Sequence, residues 1–168
     1  MRALVWIVED TWEATVDEAA GFLPADAQIT LLHVADSGVE SLAAGAREGL
    51  LGRPRHHSPP GELLSTLSED AAEELLADAR ARLGRDATKR AVSGRVEREV
   101  VAAAADADVL VLARNGDRSR LGPHSLGPAA RFVVDHAPSR LLLVWPDAPP
   151  ELETIPPHPK PPPHVGSR

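Results

Sequence analysis

The sequence predicts an α/β fold: a doubly wound open sheet of five mainly parallel strands flanked by about four helices. Three observations carry that expectation. Short apolar runs alternate along the chain with segments whose apolar residues recur at helical spacing. The run Val109-Leu110-Val111-Leu112-Ala113 is apolar at every position, which suits a parallel strand covered on both faces. Proline and glycine fall at the ends of these segments, at Pro24, Gly84, Pro128 and Pro138, where they stop or start helices.

Each element has its own signal. Behind a first strand within Leu4 to Asp10, the residues Trp12, Val16, Ala19, Ala20 and Leu23 form one stripe of a helix that Pro24 prevents from continuing. A strand from Ile29 to Val34 follows. From Ser37 to Pro60 the pattern loosens into small residues and then Gly52-Arg53-Pro54-Arg55-His56-His57-Ser58-Pro59-Pro60, so residues 37–66 are expected as a mobile excursion. A helix resumes around Glu69, with Ala72, Leu75, Leu76, Ala79 and Leu83 on one face and Gly84 as its stop. Lys89 to Val92 is a candidate short strand. Beyond Gly94, Val96, Val100, Ala103 and Ala104 mark the inward face of a helix that feeds the strand at Val109. The loop Arg114 to Leu126 leads to Gly127-Pro128. Proline suits a first helical position, because its missing N–H is unsatisfied there anyway. Val133, Val134 and Ala137 supply that helix's buried side, and Leu141-Leu142-Leu143-Val144-Trp145 is the last strand.

With 168 residues and 43% hydrophobic content, the chain can bury a core of one-domain size. The expected domain spans residues 1–146. Nine of the sixteen prolines lie in Pro146 to Arg168, so residues 147–168 are expected to form a disordered, polyproline-type tail. A net charge of −7 argues against nucleic acid or an anionic membrane as a general partner. No apolar run is long enough to cross a bilayer, and the start lacks the basic residues and apolar block of a signal peptide, so a cytoplasmic location is expected. The absence of cysteine excludes disulfides, thiolate metal sites and cysteine nucleophiles.

The segment Asp106-Ala107-Asp108-Val109-Leu110-Val111-Leu112-Ala113, followed by Leu126-Gly127 and Val133-Val134-Asp135-His136-Ala137-Pro138, resembles the C-terminal signature of the universal stress protein family. Leu4-Val5-Trp6-Ile7-Val8-Glu9-Asp10 resembles the family's first strand, and Ile29-Thr30-Leu31-Leu32-His33-Val34 its second. The likeness covers Met1 to Pro146. It implies an adenine-nucleotide α-hydrolase-like fold and a homodimer paired through the last strand at Leu141, Leu143 and Trp145. An exposed apolar edge invites such pairing on physical grounds too. In the family's nucleotide-binding members, a loop of the pattern Gly, two residues, Gly, nine residues, Gly, Ser or Thr wraps the phosphates with its backbone N–H groups. Aligned on Gly116 and Gly127, this chain has Ala113 at the first glycine, ten intervening residues, and Pro128 at the hydroxyl position. Pro128 offers neither an N–H nor a hydroxyl there. Glu9 takes the place of an aspartate near the adenosine, with Asp10 beside it, and Val34 matches a position whose backbone faces the base.

The candidate nucleotide site is therefore Glu9, Asp10, Val34, Ala113, Arg114, Gly116, His124, Ser125 and Gly127. Ser119 and Ser125 are substitute hydroxyls, and Arg114, Arg118 and Arg120 are substitute cations for a phosphate. A plainer reading makes the arginines solvated loop residues, and Glu9 and Asp10 acids at a strand end ahead of a helix. No metal site is expected, because His56 and His57 lack helical spacing and acidic neighbours. His33 and His136 read as packing residues. No catalytic motif is present: neither a Gly-x-Ser-x-Gly elbow, nor a Walker lysine loop, nor a His-Glu-x-x-His helix. The preferred reading is a non-catalytic stress-response or interaction module with weak or lost ATP binding, acting through a protein partner. The alternative is an ATP- or AMP-binding switch, with magnesium and at most slow hydrolysis. A flavin or other small-ligand carrier is a third class, supported by fold analogy alone.

Overall fold

The computed structural model describes residues 1–36 and 60–157. In chain order these form β1 (Arg2–Trp6), α1 (Trp12–Phe22), β2 (Gln28–Asp36), α2 (Pro60–Leu83), β3 (Thr88–Gly94), α3 (Val96–Ala104), β4 (Val109–Ala113), α4 (Pro128–His136) and β5 (Arg140–Val144). One-turn 3-10 helices occupy Pro123–Ser125 and Leu152–Thr154. The five strands form a single sheet in the order β3-β2-β1-β4-β5, and every neighbouring pair is parallel. The doubly wound fold is thus observed, with all its strands parallel.

The two faces of the sheet follow from the period of two in each strand. Along β1, Ala3 and Val5, followed by Ile7, enter one core, where Val16, Ala19, Leu76 and Ala79 of α1 and α2 meet Leu31 and Val111. Leu4 and Trp6 enter the other, with Val100 and Ala104 of α3 and Ala130 and Val133 of α4 against Leu32, Leu110 and Leu112. Both faces of β4 are buried at every residue, as its unbroken apolar sequence requires.

The element boundaries differ from expectation in informative ways. β1 ends at Trp6, although Ile7 still donates its N–H to Leu32 O at 2.8 Å. Thr11 N–H then turns back to Val8 O at 3.0 Å, which removes Glu9 and Asp10 from the strand. The candidate strand at Lys89 to Val92 is real and runs from Thr88 to Gly94. α2 starts at Pro60, a residue suited to a first helical position, so residues 60–66 of the expected excursion are helical. The remainder of that excursion, residues 37–59, lies outside the described residues, as does the tail from residue 158. Gly84 adopts φ of 67° and its N–H reaches Arg80 O at 3.3 Å, the left-handed helix stop that glycine makes without strain.

β1, β2 and β3 wind outward in one direction, and β4 and β5 wind in the other. The reversal between β1 and β4 leaves a crevice beyond their carboxyl ends, the place where open α/β sheets hold ligands.

Candidate functional site

The loop after β4 is closed upon itself by its own polar groups. Arg114 N–H extends the sheet pairing to Val144 O at 2.9 Å. Gly116 then passes so near the returning limb that a Cβ on it would fall 2.3 Å from His124 O and 2.9 Å from Gly127 N. Only glycine allows that approach. The two limbs are joined by Gly116 N–H to Ser125 O at 2.9 Å and Asp117 N–H to His124 O at 2.8 Å. Gly122, at φ of 132°, turns the chain into the 3-10 helix at Pro123–Ser125. Gly127 N–H, at the start of α4, donates to the Asn115 side-chain oxygen at 3.1 Å. Pro128 follows as the first residue of α4 and offers no donor.

The side chains beneath the loop are equally engaged. Ser125 is fully buried; its hydroxyl donates to Gly122 O at 2.7 Å and accepts from the Arg114 guanidinium. That guanidinium lies over the Trp145 ring, 4.6 Å from its centre, a cation–π contact joining the loop to the end of β5. Burial disfavours its charge and lowers its pKa. Asp117 accepts from the Ser119 hydroxyl at 2.5 Å, from Ser119 N–H at 3.1 Å and from Arg120 at 3.2 Å. These hydrogen bonds, the Ser119 hydroxyl foremost, hold its carboxyl below the usual aspartate range. Arg118 pairs with Asp147 at 3.3 Å. The beginning of the expected tail therefore turns back onto the loop: Leu121 N–H donates to Thr154 Oγ1 at 3.0 Å, and that hydroxyl donates to Glu151 O at 2.6 Å.

The nine candidate residues do not converge on one cavity. Gly116, His124 and Gly127 line an open cavity of about 570 Å³ beside α4, with Arg131, Phe132 and His136. Glu9 and Asp10 line a different one, of about 380 Å³, with Trp12, Arg82, Arg118 and Asp147. Val34 and Ala113 point their side chains into opposite cores, and Ser125 and Arg114 lie under the loop. His136 stacks on Phe132 with ring centres 4.0 Å apart, and His33 Nδ1 sits 3.1 Å from Ile7 O. Among the described residues no group of three or more histidines and acids could hold a metal ion; His56 and His57 are outside them. β5 is an edge strand, and Leu141, Leu143 and Trp145 are each half-buried.

Sequence reasoning missed Asn115 and Thr154. Both act through a side-chain oxygen on an N–H many residues away. Asn115 is itself a type that satisfies free N–H groups at helix starts, but nothing in the sequence pairs it with Gly127.

No protein-family model matches this sequence, and no curated protein matches it. Several solved structures share its architecture. The hypothetical protein MJ0577 aligns with a TM-score of 0.62 at 19% identity, covering 86% of this chain and 94% of that one. A universal stress protein from Archaeoglobus fulgidus aligns with a TM-score of 0.58 at 18% identity, over 85% of this chain and 97% of its own. A universal stress protein solved in complex with cAMP gives 0.57 at 15% identity, over 88% and 98%. At such identities the likeness defines the fold, the adenine-nucleotide α-hydrolase-like arrangement of universal stress protein structures.

Proposed function

We propose that this chain is a universal-stress-type protein that works in the cytoplasm as a non-catalytic interaction module, with ATP affinity weak or lost. The observation that carries this reading is the inward use of the loop's donors. Gly116, Asp117 and Gly127 each spend their N–H within the loop, and Pro128 has none to offer. A phosphate would have to break those bonds or do without them. Forgoing two charge-assisted hydrogen bonds costs about 3–6 kcal/mol, or roughly two to four decades in affinity. The residues present thus fit a bound triphosphate poorly. The half-buried apolar edge of β5 supports pairing with a second copy, the surface through which the module would assemble.

The test is a calorimetric titration of magnesium-ATP into protein stripped of ligand by unfolding and refolding. No binding up to millimolar ATP is expected. An Asn115→Ala variant frees Gly127 N–H and should gain affinity, by no more than about tenfold, since Pro128 still lacks its donor. Micromolar binding by the unaltered chain would overturn the reading in favour of an ATP- or AMP-binding switch with magnesium. That second reading draws on the fold shared with the universal stress protein solved with cAMP and on the Arg118 crevice at the strand ends.

A further inference from the structure

The segment after β5 contains a feature that a lone copy of the chain does not use. Leu152 is 74% exposed and Ile155 55% exposed, two of only four large apolar side chains so exposed among the described residues. They are not on a loose end. The 3-10 turn Leu152–Thr154 sets them three residues apart, and it is anchored by Thr154 Oγ1 to Leu121 N–H at 3.0 Å and by Asp147 to Arg118 at 3.3 Å. Glu151 and Glu153 flank this apolar ridge.

A complementary surface lies on the same chain. The cavity of about 570 Å³ beside α4 is lined by the half-buried Leu126 and Phe132 and by the exposed Pro128, Arg131, His124 and His136. Asp135 is the one acidic group at its edge. Arg131 is held at the rim by donating to Pro123 O at 2.7 Å. The apolar ridge suits the apolar part of the cavity, and Glu151 and Glu153 on the one side and Arg131 on the other carry opposite charges.

Topology supplies the way they meet. α4 ends at His136, just before β5 begins at Arg140. If two β5 edges pair antiparallel across a two-fold axis, the carboxyl end of each lies beside the amino end of the other. The residues following one β5 then emerge next to the last turns of the other copy's α4.

We propose that the Leu152–Ile155 ridge docks into the α4 cavity of a second copy of this chain, reciprocally, in a dimer paired through β5. This rests on the β5 pairing proposed above and adds to it the surface that closes the interface.

Sedimentation equilibrium of the full chain tests this, with the double variant Leu152→Ser/Ile155→Ser set beside Leu143→Lys. Both ridge side chains are exposed in the single chain, so the double variant should keep the thermal midpoint of the monomer while raising the dimer Kd by about tenfold or more. Glu151→Arg/Glu153→Arg should weaken the dimer likewise, and adding Arg131→Glu to it should recover most of the loss. If the ridge variant leaves Kd unchanged while Leu143→Lys gives monomer, the ridge proposal is overturned and strand pairing stands. An unaltered chain that remains monomeric at about 100 µM overturns both.

Discussion

Single residues decide whether the loop after β4 can close. Gly116 is the clearest case, since a Cβ there would sit 2.3 Å from the backbone oxygen of His124 and 2.8 Å from the carbonyl carbon of Leu126. Neither atom belongs to a side chain that could swing aside. Gly116→Ala should therefore lower stability by about 1–3 kcal/mol, read from urea unfolding. Gly21, near the end of α1, has nothing within 4 Å of its virtual Cβ, and Gly21→Ala should raise stability by roughly 0.5–1 kcal/mol in the same experiment. A Gly116→Ala protein as stable as the parent would show that the limbs of the loop yield easily. Gly116, Gly127 and Pro128 were legible as a glycine-punctuated loop running into a helix start. The role of Asn115 was not, because an amide capping an N–H twelve residues on depends on how the loop folds back.

Between elements, the best-defined polar contact joins α1 to α2. Arg82 binds the Asp17 carboxylate through two nitrogens, each at 2.7 Å, and lies 5.9 Å from the centre of the Trp12 ring. The hydrogen bond from Arg82 holds the Asp17 pKa below its ordinary value of 3.8. A carboxyl whose pKa is depressed by folding stabilises the fold above its unfolded value and loses that contribution as pH falls through its folded value. Asp17→Asn should thus lower the urea midpoint slightly at pH 7, and the difference from the parent should shrink as pH drops below about 3.8. Both side chains are about half exposed, so the effect is small and weakens with salt. A difference that grew on acidification would contradict the assignment. Elements were read reliably where apolar spacing was long. The start of α2 at Pro60 escaped because the preceding proline and histidine cluster masked it, and β1 stops early because the Thr11 to Val8 turn pulls the chain out of register.

For the whole molecule, one sheet is shared by two cores, and the cores are expected to fail together. Leu76 is fully buried on the α1–α2 side and Val133 on the α3–α4 side. Leu76→Ala should cost about 2–5 kcal/mol and Val133→Ala somewhat less. Each should shift a single unfolding transition and not split it, because both cores rest on the same central strands. Trp6 lies in one core and Trp12 packs against the other, so fluorescence reports on both and should coincide with circular dichroism. Separate transitions by the two probes would mean that the faces unfold independently.

By itself the sequence determined the α/β alternation, the unbroken apolar strand at the centre of the sheet, the glycine and proline helix boundaries and the position of the candidate loop. All of these rest on local periodicity and local backbone restriction, which need no knowledge of distant neighbours. Tertiary structure alone decided that Glu9 and Gly127 face different cavities, that Asn115 and Thr154 occupy backbone donors of the loop, and that residues 147–157 return onto it. Each of these is a pairing between groups far apart in the chain. Such pairings are set when strands adopt their order and register, and a linear pattern carries no record of them.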